Sequence, residues 1–217
     1  IRAAASGERI SYAGELFRVR NLQLRWLESV APAIHVGASQ QQMLRMAARC
    51  ADGIMMSDMP PGPASQAIAT LDAALAEIGR QRPAFATNVF TAWHVYRDRQ
   101  QVRQEARRWL LLRGIFRPWL LAEFLDQADV DLVMASEAAF ARAFAAGSHQ
   151  VDGVPDRLLD KLVDKLTVSG SPDDLDPVIN KLRKLRDAGL GSVALRLYAD
   201  PAASIRLIGE QLVPELS

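Results

Sequence analysis

The chain has 217 residues, 49% hydrophobic, 24% charged and 6% aromatic, a globular composition with enough apolar side chains for a sizeable core. Lysine plus arginine (26) almost balances aspartate plus glutamate (25), for a formal charge of +1, so nothing in the overall charge attracts a polyanion and nucleic-acid binding is not expected. A single cysteine, Cys50, excludes a disulfide framework and a cysteine-rich metal site and fits a reducing compartment. No apolar run reaches the ~18 residues of a membrane span, and the first residues lack a signal-peptide pattern. A cytoplasmic protein is expected.

The sequence opens on Ile1 inside a running segment, IRAAASGERISYAGELF. That suits either a trimmed terminus or the C-terminal part of a longer polypeptide. Ser6–Arg25, with Gly7 and Gly14, predicts turns and short strands in a loop-rich connection. Ala33–Val36, between Pro32 and Gly37, predicts a buried strand. Ser39 follows as an N-cap for a helix over Gln40–Cys50, because its hydroxyl can accept a first-turn amide. Asp52-Gly53 is a turn, Ile54–Met56 a second strand, and the proline-rich Asp58–Pro63 a loop. Ala67, Ile68, Leu71, Leu75 and Ile78 mark the next helix face.

A third strand is predicted over Phe85–Tyr96 and a helix over Arg97–Leu112, with Arg99, Arg103 and Arg107 on its wet face. Arg113–Asp156 is rich in alanine and phenylalanine and too long for an ordinary connection, so a helical insertion or lid is expected there. Leu158–Leu166 has the spacing of an amphipathic helix. Ser171-Pro172-Asp173-Asp174 reads as a helix start with cap, proline and acidic first turn, leading to an apolar stripe at Val178, Ile179, Leu182 and Leu185. Ser192–Tyr198 is the fourth strand, followed by a last helix from Pro201 to about Val213.

Four strands each followed by a helix argue for parallel pairing under covering helices. The count leaves two choices within the α/β class: a small open sheet, or half of a (β/α)8 barrel, which when complete takes ~250 residues.

Two stretches carry a resemblance. AIHVGASQQQMLRMAARCADGIMMS resembles a strand–helix–strand of the luciferase-like monooxygenase superfamily, and VSGSPDDLDPVINKLRKLRDAGLGSVALRL is similar to that family's closing unit. Their order fits the C-terminal half of the family's TIM barrel, about four βα units plus a helical insertion at 113–156, within one partial barrel domain over 1–217. The combination is most similar to the branch that uses the deazaflavin coenzyme F420, including methylenetetrahydromethanopterin reductase-like proteins. The resemblance implies an oxidoreductase in which F420, or alternatively FMN, exchanges a hydride with an organic small molecule. It also implies that the catalytic acid and base lie in an N-terminal half outside this chain. On that reading the half-barrel is completed by that missing half or by a homo-oligomeric partner. A non-catalytic half-barrel module for binding or assembly is the competing reading, because open sheet edges invite association.

The residues themselves support a cofactor site. Gly37-Ala38-Ser39 at a helix N-terminus combines free amides, a favourable dipole and close backbone access. The resemblance puts the cofactor's phosphate-bearing tail there, in contact with Gly37, Ala38, Ser39 and Gln40. Relatives often carry Gly-Pro where this chain has Gln40-Gln41. Ordinary packing of small residues is the alternative.

Ser57 and His94, at the ends of the second and third strands where barrel sites are built, are candidates for the substrate pocket. A loop cap and a satisfied core histidine are their structural alternatives. His35 reads as structural and His149 as solvated; the three histidines have no metal-ligand spacing. Cys50 is expected on a buried helix face and inert. A lyase or isomerase on the same barrel needs a lysine or carboxylate at a strand end. The strand ends read as Ser39, Ser57, His94 and Ala199, with Asp200 beyond.

Overall fold

The computed structural model describes residues 1–25 and 31–216. A one-turn helix, α1 (Arg2–Ala5), precedes an antiparallel hairpin of β1 (Ile10–Ala13) and β2 (Arg18–Leu22), the short strands anticipated in the loop-rich opening. Strands and helices then alternate: β3 (His35–Gly37), α2 (Gln41–Cys50), β4 (Gly53–Ser57), α3 (Pro61–Glu77), β5 (Ala86–Val95) and α4 (Arg99–Arg108). A helical stretch follows, with α5 (Pro118–Leu121), α6 (Gln127–Ala135) and α7 (Glu137–Ala145). The chain closes with α8 (Asp156–Leu166), β6 (Thr167–Gly170), α9 (Asp176–Asp187), β7 (Ser192–Leu197), α10 (Pro201–Leu207) and, after one π-helical turn, α11 (Val213–Leu216).

The four predicted strands are β3, β4, β5 and β7, and their pairings are all parallel, as helical crossovers require. They lie side by side in that order, β7 pairing with β5 along Asn88–Trp93. The unpredicted β6 pairs with Ala92–Val95, on the edge that β4 occupies lower down at Ala86–Phe90. Ala92 and Trp93 bridge β6 and β7 at once, which places those two strands on opposite edges of β5. The TVSG segment of β6 holds one large apolar residue, too little for a periodicity signal.

Strand register assembles one apolar face. Val36 stands beside Ile54 and Met56 beside Val89, while Val89, Thr91 and Trp93 stand beside Val193, Leu195 and Leu197. Leu44 and Ala47 of α2, Leu71 and Leu75 of α3, Leu162 of α8 and Leu182 of α9 join that face in a single core. The opposite face is open: His35, Gly37, Met55, Ser57, Ala86, Ser192 and Arg196 are exposed on it. Helices cover one side of the parallel sheet, and the other is open except near the ends of β5 and β7, where Ala92 and His94 are buried, as in part of a barrel wall.

Several local expectations are corrected. Helix α3 starts at Pro61 inside the presumed loop, because prolines are tolerated in a first turn whose amides have no intrahelical acceptor. Ser171–Asp174 closes a turn instead of starting a helix: the Asp173 amide donates to Ser171 Oγ at 3.2 Å, and α9 begins at Asp176. Cys50 is exposed at the end of α2. The arginine stripe is not uniformly wet. Arg107 is buried and donates to Asp156 (3.0 Å) and Asp160 (2.6 Å) of α8, and Arg103 bridges the same two carboxylates. These pairs tie α4 to α8 across the helical stretch.

Candidate functional site

The C-terminal ends of the parallel strands carry the candidate residues. At the end of β3, a Cβ built on Gly37 meets nothing within 4 Å, so the backbone there is open to an incoming group. Gln40, not Ser39, is the N-cap of α2, and it makes no side-chain capping bond. The first turn of this ten-residue helix therefore keeps its positive end available for an anion. Ala38 contributes differently from expectation. Its amide donates to the Met55 carbonyl at 3.2 Å and its side chain is buried, so it extends the β3–β4 ladder and packs. Ser39 is half-buried and Gln40 exposed.

Ser57 ends β4 with its side chain exposed, and its carbonyl accepts from Arg117 Nη1 at 3.0 Å. Asp58 follows with φ of +51°, a left-handed conformation that costs energy for a residue with a Cβ. Its carboxylate is buried and accepts from Arg113 Nη1 at 3.1 Å. Arg113 comes from the 3₁₀ turn Leu110–Arg113 beyond α4 and also lies over the Phe90 ring, 5.9 Å from its centroid. Burial pushes the Asp58 carboxyl up to about 6, against the opposing pull of Arg113, Arg117 and Arg196.

His94 is fully buried near the end of β5. Its ring stacks on Tyr198 (4.9 Å, 13°) and meets Tyr96 edge-on (6.2 Å), and neither ring nitrogen has a partner. Burial, reinforced by the charge on Arg113, drives its pKa down to about 3, so the imidazole is neutral at physiological pH. The stack continues from Tyr198 to Trp109 (4.7 Å) and then to Phe144 of α7 (5.6 Å). Through these rings the helical stretch contacts the strand ends directly.

The structure brings Gly37–Gln40 and Ser57 together, on adjacent strands joined by the Ala38–Met55 bond. His94 stands apart from them. Ser57 pairs with Phe90, and His94 lies four residues further along β5, roughly 13 Å at the rise of a strand. His94 is neither the satisfied core histidine of the structural reading nor a group open to solvent. Sequence reasoning missed Asp58, Arg113, Arg196 and Tyr198. Asp58 was legible as a carboxylate directly after a strand end and was absorbed into the proline-rich loop. Arg196 and Tyr198 follow the period of two from Ala194 on the open face. Arg113 carried no local signal.

With this geometry in hand, the class of protein is established: the sequence profile of the luciferase-like monooxygenase family matches residues 1–192, and the chain belongs to that family. Among particular relatives, 5,10-methylenetetrahydromethanopterin reductase of Archaeoglobus fulgidus is 31% identical over 218 residues, covering 100% of this chain and 64% of the relative. The coenzyme F420-dependent tetrahydromethanopterin reductase of Methanopyrus kandleri superposes with a TM-score of 0.77 at 18% identity, covering 100% of this chain and 60% of that one. An F420-dependent secondary alcohol dehydrogenase, solved with an F420–acetone adduct, superposes with a TM-score of 0.67 at 14% identity, over 100% and 58%. The chain thus spans less than two thirds of the length of each. The α/β fold is the partial barrel expected from the sequence.

Proposed function

We propose that this chain forms part of an oxidoreductase that binds coenzyme F420 and acts on an organic small molecule. The observation that carries the reading is the β3–α2 turn: space above Gly37, and a helix N-terminus without a side-chain cap. Such a turn suits the phosphate-bearing end of the cofactor, with Gly37 allowing close approach, Ser39 and Gln40 at the mouth, and Ala38 holding the turn to β4. The names of the relatives support the same choice. When bound, the deazaflavin would supply two-electron hydride chemistry, while the protein binds, orients and shields it.

The chain's own residues have separable tasks. Ser57 and His94 form parts of the pocket wall on the open face. A histidine held at about 3 is not a proton donor at neutral pH; it offers one N–H and one acceptor nitrogen to a ligand. The insertion over 113–156 serves as a lid that excludes water, anchored through the Trp109–Phe144 ring contact. The outer edges of β3 and β7 are unpaired among the described residues. Further βα units, or a second copy of the chain, would complete the wall. Among the described residues no helix is long and apolar enough to cross a membrane, and a cytoplasmic enzyme is part of the proposal.

Titration of the intact protein with oxidised F420, and separately with FMN, followed by cofactor absorbance and fluorescence, tests this reading. Saturable change with F420 is expected. Response to FMN alone would replace the deazaflavin by a flavin. Response to neither would overturn the redox reading in favour of a binding module.

A further inference from the structure

Polar side chains at the far end of the sheet's open face are buried without the partners their chemistry calls for. Arg113 is 1% exposed; Asp58 holds its Nη1, but its Nε has no acceptor. The Tyr198 hydroxyl and both His94 nitrogens are likewise buried and unpartnered. Two further guanidinium groups stand around them. Arg117 donates to the carbonyls of Ser57, Gly114 and Arg113. Arg196 is exposed on the same face, 5.1 Å over the Tyr198 ring.

The charges do not balance. Arg113, Arg117 and Arg196 all act on Asp58, three cations against one carboxylate. The next carboxylate, Glu105, is taken up by Trp109 Nε1 at 3.2 Å and Arg108 at 4.0 Å. A buried guanidinium with an idle N–H is costly, and an anionic oxygen is the acceptor that satisfies it best. Phe90, Tyr198 and Trp109 add ring surface beside these donors.

We infer that Arg113, Arg196, Tyr198 and His94 form a subsite for an anionic group, a carboxylate or phosphate, on the small molecule bound at the open face. Arg113 Nε, the Tyr198 hydroxyl, one His94 N–H and the Arg196 guanidinium are its donors, and Asp58 with Arg117 holds Arg113 in place. The inference deepens the proposed function by assigning the substrate to the anionic class, and it rests on that reading only for the redox role of the site.

The test uses the intact protein and its tryptophan fluorescence, since Trp109 lies against Tyr198. The probes are inorganic phosphate, glutarate and the uncharged analogue glutaramide. A saturable response to phosphate or glutarate, with none to glutaramide, is expected. The responding anion distinguishes a phosphate group from a carboxylate. Arg196→Gln, at an exposed position, weakens anion binding roughly tenfold, the loss of one charge-assisted contact. Tyr198→Phe weakens it by a smaller factor without removing the ring. Equal response to glutaramide, or unchanged affinity in both Arg196→Gln and Tyr198→Phe, overturns the subsite. F420 binding without anion binding would sink this inference alone, and anion binding without F420 binding would sink the cofactor reading alone.

Discussion

Strand β5 has two faces made of adjacent residues that live under opposite rules. Val89, Thr91, Trp93 and Val95 are buried beneath the helices, and three of the four are apolar. Asn88, Phe90 and His94 point the other way, with Asn88 Oδ1 and both His94 nitrogens left without partners. The first face is explained by removal of apolar surface from water, which needs only a neighbour of the right size. The second holds more of the unsatisfied polar groups, although Trp93 Nε1 on the helix side is also without a partner. The difference separates the part of the molecule that holds the sheet together from the part where the proposed binding site lies.

The comparison breaks most decisively at Trp93, which is fully buried on the helix side. Trp93→Ala is expected to cost about 3–5 kcal/mol by denaturant unfolding; a loss below about 1 kcal/mol would mean that the helix-covered face does not support the sheet. On the other face Gly37→Asp should act on binding rather than folding, because a side chain there meets no neighbour. F420 affinity should fall about a hundredfold, or about 2.7 kcal/mol, with an unchanged melting temperature, and Gly37→Ala should cost much less.

His94 sharpens the contrast through pH. Its pKa falls from 6.5 to about 3 on folding, so between those values the unfolded chain takes up a proton that the folded protein refuses. Stability is therefore lost as pH drops through this window, at about 1.4 kcal/mol per unit. His94→Gln should flatten that slope in unfolding experiments. Asp58 works in the opposite sense: raised from 3.8 to about 6, it withdraws stability as pH rises through that interval, and Asp58→Asn should remove that part. The smallest effect is expected at Met55, 38% exposed on the open face. Met55→Ala should change stability by no more than about 0.5 kcal/mol, whereas Ile54→Ala, one residue away and fully buried, should cost about 2–5 kcal/mol.

The readable parts of the sequence were those governed by neighbours. Val36, Ile54, Val89 and Val193 announced strands because apolar residues sat between turn residues, and Leu71, Leu75, Leu182 and Leu185 announced helices by their spacing. Gly37 was legible as the end of the first strand, because a glycine between an apolar run and a helical period marks a turn. Misreadings occurred where a local rule met a tertiary contact. Ser39 looked like a cap, but the chain bonds Ala38 to Met55 and starts the helix one residue later. Arg107 looked solvated, but α8 brings two aspartates to it across a gap of about fifty residues. Cys50 followed the helical period, yet it sits where α2 leaves the core.

By itself the sequence determined the alternation of strands and helices, the four parallel strands, the family and the glycine turn. Each depends on residues within a few positions of one another, where periodicity and backbone preference act. Only the tertiary structure decided that β6 shares an edge with β4, that Arg113 reaches Asp58, and that His94 stacks on Tyr198. Those contacts join residues 55 to 104 positions apart, and their energies come from burial and charge that exist only once distant segments share one low-dielectric space.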